Sequence, residues 1–367
     1  MTFELKQEFL PIKREINKSL LTIDYSVIDT EGLAVISFFR IFASIMKKRI
    51  YILIVFITCS VTALFSQKPF TDTPKRGEGL GVFLERNGYD LGRYKAKFIE
   101  INKDKLGPGN TLKLGEKYTF PLLIEEYPEV LFGSKHQNIQ IKDNSLKGAV
   151  YYLVCGHGGP DPGAMGRLNG HDLCEDEYAY DIVLRLARQL LVRSAKVYII
   201  IQDPDDGIRG SAYLGIDDHE TCLGEPIPLD HNERLRQRTK AINKLHQKHR
   251  GKYERCVFIH LDSRSKKEQI DIFLYHAKGS TKGQRLATTL QKTFRKKYNQ
   301  HQPGRGFSGT VSWRNLHVLV ASNPPAVFLE LGNMQNSRDQ QRFTKASNRE
   351  AVANWIAEGL VEDYKMK

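Results

Sequence analysis

No two of the five cysteines in this 367-residue sequence form a Cys-x-x-Cys pair, which removes a zinc ribbon from consideration. No basic helix and no aromatic-rich RNA-binding motif gathers the Lys and Arg residues; they are scattered, although the formal charge is +13. That charge favours an anionic partner or surface without pointing to nucleic acid. No internal repeat is evident. The apolar stretch Ile50 to Phe65 is short for a membrane span. With 41% apolar and 26% charged residues, the chain has the composition of a folded, soluble protein, large enough for one large domain and a small one.

Lys47, Lys48 and Arg49 precede that stretch, and small and polar residues follow it, so residues 46–66 have the layout of a secretory signal peptide cleaved near Ser66-Gln67. Its internal position implies that residues 1–45 lie upstream of the true start at Met46; the alternative is an uncleaved anchor with a cytoplasmic tail. Cys155, Cys174, Cys222 and Cys256 lie beyond the signal, and an even number in an exported chain permits two disulfides without requiring them.

Residues 67–76 are polar, carry two prolines and read as a linker. In residues 77–122, Leu80, Val82, Phe83 and Leu84 suggest a short helix stopped by Asn87-Gly88. Phe98, Ile99 and Ile101 lead to a second helix, and "TLKLGEKYTFP" alternates as a final strand. This small α+β unit resembles a LysM module at Gly77-Glu78, Glu100-Ile101-Asn102 and Leu114-Gly115-Glu116-Lys117. The resemblance implies binding of N-acetylglucosamine-containing glycans. Residues 123–147 are expected to be a second linker.

From residue 148 the pattern becomes an alternation of strands and helices. "GAVYYLVC", "AKVYIIIQ", "RCVFIHLD", "QIDIFLYHA" and "PAVFLELG" are strand-like, and four helical stretches begin near Glu177, Asn232, Gly279 and Asn348. The expected fold is α/β, a three-layer sandwich with a mostly parallel sheet, over residues 148–363. His157 follows the first of these strands, His260 ends the third and Glu330 ends the last, so a parallel sheet brings all three to one edge. Glu175 continues the inward stripe of Ala179, Ile182, Val183, Leu186 and Leu190 at the first turn of a helix, whereas Glu177 lines up with Asp181 on the face expected to be wet.

Two histidines and one carboxylate form a frequent protein shell for catalytic zinc, and a second carboxylate can move the proton of a zinc-activated water. Glycines in "GHGGPDPGAMG" let a metal and a substrate approach the loop that carries His157. His171, His219, His231 and His276 compete for ligand roles, with His276 the strongest rival although it follows an alternating, edge-like strand. Cys155 closes an apolar strand and reads as a core residue, not a nucleophile.

"GHGGPDPGAMG", Glu175 entering a helix, a strand-end His260 and "NPPAVFLELGNMQNSRD" together resemble the zinc-dependent N-acetylmuramoyl-L-alanine amidases of the amidase type 3 family. The resemblance implies one zinc ion held by His157, Glu175 and His260, with Glu330 as the catalytic carboxylate. It further implies cleavage of the amide between N-acetylmuramic acid and the L-alanine of the stem peptide, outside the cytoplasm in the periplasm or cell envelope. The family's usual Ser-x-His-x-Asn is Phe258-Ile259-His260-Leu261-Asp262 here, and its usual Thr-Arg is Ile201-Gln202. A long segment, Asp203 to Leu229, is expected to form a flap beside the cleft. The expected partners are peptidoglycan and a regulatory protein, with no nucleic acid and membrane contact only through the signal or anchor. Two other readings remain: a non-catalytic wall-binding or activator protein on this fold, and a zinc peptidase cutting within stem peptides.

Overall fold

The computed structural model describes residues 70–121, 124–127, 129–262 and 269–367; the signal segment at 46–66 and residues 1–45 lie outside them. Among the described residues no helix is long and apolar enough to cross a membrane.

The first elements form a small unit with its own core. Strand β1 (Thr71–Asp72), helix α1 (Leu80–Arg86), helix α2 (Leu91–Ile101) and strand β2 (Tyr118–Thr119) follow in order, with β1 and β2 antiparallel. Phe83, Leu84, Tyr94, Phe98, Tyr118 and Phe120 fill the space between helices and strands. The α1 stop is at Asn87, followed by Gly88 at φ 86°, a conformation glycine adopts without strain. Asn102 is 1% exposed and clamps β2 to the end of α2: its Nδ2 donates to the Thr119 carbonyl and its Oδ1 accepts from the Thr119 N–H at 2.8 Å. The unit begins earlier than residue 77, because the Phe70 carbonyl accepts from Phe120 N–H at 2.8 Å and Thr71 pairs with Thr119.

Residues 123–147 are also more than a linker. β3 (Ile124–Glu126) and β4 (Asn138–Gln140) make an antiparallel pair, and Phe132, Ile139 and Leu146 are fully buried in the main core. Apolar side chains spaced this widely show no periodicity, so they gave no signal in the sequence.

The main sheet contains β5 (Ala149–Cys155), β8 (Lys196–Ile199), β12 (Tyr253–Asp262), β13 (Phe273–His276), β14 (Thr310–Trp313) and β15 (Ala326–Asn333), in the order β14-β13-β15-β12-β5-β8. A hairpin of β6 (Met165–Leu168) and β7 (His171–Cys174) precedes α3 (Glu175–Leu191). A small sheet joins β9 (Ile201–Gln202), β10 (Thr221–Cys222) and β11 (Glu225–Pro226). A single turn of helix spans Glu129–Phe132, and further helices are α4 (His231–Gln247), α5 (Thr281–His301), α6 (His317–Val320), α7 (Ser337–Thr344) and α8 (Ala346–Lys365). All seven residues of β5 are buried, as expected for an apolar strand covered on both faces. Helix α8 packs against α3 and α5, while α4 packs with α6, giving the three-layer α/β sandwich.

Four strands are parallel, and β13 and β14 run against them. Strand β13 lies between β14 and β15, so it is not an edge strand. Its reversed direction sends His276 away from the β15 end that carries Glu330: Phe273, at the start of β13, is the residue paired with Glu330. The sequence gives no sign of strand direction, which is why His276 competed at all.

Glu177 and Asp181 are 1% and 0% exposed, contrary to a wet face on α3. The segment Asp203–Leu229 and the start of α8 cover them. Asp181 Oδ2 accepts from Arg185 Nε at 2.7 Å and from Arg349 Nε at 2.6 Å, while Oδ1 accepts from Arg209 N–H at 2.8 Å. Arg349 is itself fully buried. Removing one partner of such a cluster leaves buried guanidinium charge uncompensated. Asp181→Ala is therefore expected to lose about 3–5 kcal/mol of stability in urea unfolding. A loss of less than about 1 kcal/mol would make the cluster equivalent to a surface ion pair.

Candidate active site

The parallel register of β12 and β15 sets His260 beside Glu330 as direct partners, and that of β5 and β12 sets Cys155 beside Ile259. His157 follows two residues beyond Cys155, with Gly156 N–H donating to the Ile259 carbonyl at 2.8 Å. His157, Gly158 and Gly159 all have positive φ, at 59°, 97° and 63°. Three consecutive left-handed residues reverse the chain and turn the His157 ring back over the sheet edge, and glycine carries two of them without strain. Arg238 of α4 donates to the His157 carbonyl, Gly158 N–H to the Asp161 carbonyl, and Gly159 N–H to Glu220 Oε2.

Glu175 begins α3 directly after β7 and is 3% exposed. Its Oε2 lies 3.2 Å from His157 Nε2 and accepts from Ala164 N–H at 2.8 Å. Its Oε1 lies 2.8 Å from His260 Nδ1 and accepts from Leu261 N–H at 2.9 Å. The two imidazoles are 5.0 Å apart between centroids and inclined at 79°. One donor atom from each of His157, Glu175 and His260 lies within 4.8 Å of the other two.

The surroundings fix this arrangement. A Cβ on Gly156 would lie 2.2 Å from His260 Cε1, and one on Gly163 would lie 2.6 Å from His157 Cδ2 and 2.8 Å from Glu175 Oε2. Phe328 stacks on His260 at 4.1 Å. His157 Nδ1 faces Asp161 Oδ2 at 3.0 Å, and Arg234 Nη2 donates to that same oxygen at 2.9 Å. A carboxylate behind a ligating imidazole fixes its orientation and tautomer and raises its basicity. Burial opposes charge on His157, yet Asp161 and Glu175 raise its pKa to about 10. Burial likewise opposes charge on Glu175, but the two histidines hold its carboxyl well below the usual carboxylate range. Burial lowers His260 against the pull of Glu175. A converging donor set of two imidazoles and an ionised carboxylate suits a borderline divalent ion such as zinc.

Beside these residues lies a cavity of about 280 Å³ lined by His157, His260 and Glu330, by the apolar Phe328, Leu316 and Val318, and by His231, Arg234, Arg238, Arg314 and His317. His231, Arg234, Leu235 and Arg238 have helical i, i+3, i+4, i+7 spacing, a signal legible in the sequence but unassigned there. Asp161 lies within the glycine-rich stretch after β5, where residue pattern alone assigns it no role. His231 lines the cavity without joining the donor cluster. His171 instead stacks on Tyr213 at 3.9 Å, His219 meets Asp205 at 2.6 Å, and His276 Nδ1 meets the Ala277 carbonyl. Cys155, Cys174, Cys222 and Cys256 are buried free thiols, and burial pushes Cys155 well above the ordinary thiol range.

The segment Asp203–Leu229 is not a loose flap. Its β10 pairs with β9, Arg209 pairs with Glu177 at 2.8 Å, and Ile227 packs where a Gly159 Cβ would lie 3.0 Å away. Glu220 is 4% exposed, and burial pushes its carboxyl up to about 7 as it supports the His157 loop through Gly159.

An α/β sandwich that gathers two histidines and a carboxylate near the C-terminal edge of its parallel strands, with a second carboxylate alongside, has a donor set that could hold a divalent metal beside an acid–base group, as a hydrolase requires. The chain matches the family N-acetylmuramoyl-L-alanine amidase over residues 152–362, more than half its length, and belongs to that family. It is a peptidoglycan hydrolase that cleaves between N-acetylmuramic acid and L-alanine. The germination-specific N-acetylmuramoyl-L-alanine amidase of Bacillus subtilis (strain 168) is 22% identical over 223 residues, covering 60% of this chain and 82% of that protein. The probable cell wall amidase LytH of Staphylococcus aureus is 25% identical over 239 residues, covering 61% of this chain and 64% of that one, just under two thirds. Among solved structures, the catalytic domain of CwlV, an N-acetylmuramoyl-L-alanine amidase from Bacillus (Paenibacillus) polymyxa var. colistinus, aligns with TM-score 0.43 at 23% identity over 60% of this chain and 99% of its own. The CwlD amidase from Clostridioides difficile, solved with the GerS lipoprotein, aligns with TM-score 0.45 at 21% identity over 59% and 99%.

Gly156→Ala tests how closely the site depends on the loop against its second histidine. The added methyl must displace the His260 ring, so the variant is expected to stay folded while any affinity for a divalent metal ion at this donor set falls at least about tenfold, as when support behind a ligand is lost. Metal titration alongside circular dichroism checks this. Unchanged metal affinity would show that His260 has room to move.

Proposed function

We propose that this amidase works with one zinc ion held by His157, Glu175 and His260, and that Glu330 is its proton-transferring group. The observation that carries the reading is the convergence of three donor atoms within 4.8 Å beside a cavity that Glu330 also lines. When bound, the zinc supplies Lewis-acid polarisation of the amide carbonyl and a water of near-neutral pKa.

The remaining chemistry belongs to the chain. The cavity takes the scissile amide against Phe328 and Leu316, away from bulk water. Glu330 accepts a proton from the attacking water as its oxygen bonds to the carbonyl carbon, then delivers it to the leaving L-alanine nitrogen as the C–N bond breaks. Asp161, braced by Arg234, holds the His157 ring in its ligating orientation, and Arg238 fixes the backbone on which that ring stands. The β-α-α-β unit, with its Asn102 clamp, serves as a LysM-like glycan-binding module ahead of the catalytic domain. Residues 46–66 direct export, so the enzyme meets its polymer in the periplasm or cell envelope, where a regulatory protein is a further partner.

Four variants separate the metal from the proton chemistry. His157→Ala, Glu175→Ala and His260→Ala are each expected to lose zinc and activity together. Glu330→Ala is expected to keep zinc and its melting temperature while turnover falls by about 10²- to 10⁴-fold. Metal analysis, thermal melting and amide hydrolysis on the same preparations read all three quantities. An active Glu330→Ala protein would contradict the proposed proton transfer.

A further inference from the structure

Between Asp203 and Glu220 the chain carries five aspartates and a glutamate, with Arg209 as its single Lys or Arg. Three of the aspartates converge: Asp203, Asp206 and Asp217 each present a carboxylate oxygen within 4.8 Å of the other two. A cluster of acids does not by itself make a site, because exposed carboxylates are readily solvated. Asp203, however, is 2% exposed. Its Oδ1 accepts from the N–H groups of Asp205 and Asp206, at 2.7 and 3.1 Å, while its Oδ2 is buried with no hydrogen-bond partner among the described residues. A buried carboxylate oxygen without a donor is costly unless a proton, a water or a cation completes it.

The local cations do not complete it. Arg209 Nη1 is shared between Asp206 Oδ2 and Glu177 Oε2, and Glu177 Oε1 already accepts from Asp217 N–H at 3.2 Å. His219 Nδ1 lies 2.6 Å from Asp205 Oδ2 and 3.8 Å from Asp217 Oδ1, and its backbone N–H donates to that Asp217 oxygen, so it does not reach Asp203. Burial pushes Asp203 above the usual carboxylate range against the Asp205 N–H, and pushes Asp206 above it against the pull of Arg209, with Asp217 adding to both. The donors are all carboxylate oxygens, unlike the nitrogen-rich set at His157 and His260. Hard oxygen donors of this kind select calcium, which takes six to eight oxygens and completes its shell with water and carbonyls.

We propose that Asp203, Asp206 and Asp217 form a second cation site, for calcium, that ties the start of the 203–229 excursion to its far side. The ion would thereby support the segment that braces the His157 loop through Glu220 and Ile227. The site shares no residue with the proposed zinc site.

The test uses the full chain with zinc already loaded. Calcium chloride is titrated by calorimetry, terbium luminescence reports the same site, and melting is followed with and without calcium. One calcium per chain is expected to bind with Kd of about 10⁻⁵ to 10⁻³ M, with a rise in melting temperature. Asp203→Asn and Asp217→Asn should each weaken binding at least about tenfold. The Asp217 side chain is 29% exposed, so Asp217→Asn remains informative even if Asp203→Asn fails to fold. His260→Ala should bind calcium as the parent does. No binding up to about 10 mM, an unchanged Kd in Asp217→Asn, or loss of calcium binding in His260→Ala would each overturn the proposal.

Discussion

Glu175 presents two carboxylate oxygens at the start of α3, and each is used twice. One oxygen holds His260 and the backbone of Leu261 at the end of β12; the other holds His157 and the backbone of Ala164 in the loop after β5. A single buried charge thus joins two strand ends and a helix, and the helix N-terminus favours it as an anion. Without the ionised form both imidazoles would lose their shared partner, and the loop around His157 would lose its tie to α3. The glycines follow from the same constraint, since Gly156 and Gly163 lie where any side chain would strike the rings.

The protein surrounds this charge with layers of support. Asp161 and Arg234 stand behind His157, Arg238 holds its carbonyl, and Glu220 holds the turn two residues on. These groups come from the loop itself, from α4 and from the 203–229 excursion. A site assembled from separate parts of the chain stays precise only if those parts are rigidly packed. The buried Asp181–Arg185–Arg349 cluster and the pairing of Arg209 with Glu177 supply that packing along α3. The excursion is a buttress, fixed to the helix that carries Glu175.

Much of this was legible in the sequence because the chemistry sits near strand ends. An apolar run such as that of β5 announces a covered strand, and His260 and Glu330 read as the closing residues of two others; β12 in fact runs on to Asp262 and β15 to Asn333, so both lie within their strands as direct partners near the same sheet edge. Glu175 was legible from its place on the inward stripe of α3. What was hidden depends on tertiary covering. Glu177 and Asp181 read as solvated because a periodic stripe identifies one buried face and says nothing of a second layer folding over the other. The direction of β13, which removes His276 from contention, leaves no trace in residue pattern. Phe132, Ile139 and Leu146 were too dispersed to mark residues 123–147 as core. Arg234 and Arg238 had the spacing of one helix face, but only the fold shows that this face looks onto His157.

The account stands on hydrolysis of one particular bond, and the products report that bond directly. Purified sacculi incubated with the zinc-loaded protein should release intact stem peptides that begin with a free L-alanine, leaving glycan strands with unsubstituted lactyl groups, as read by mass spectrometry. Peptides beginning at an internal residue of the stem, or no release at all from sacculi by zinc-loaded protein, would contradict it.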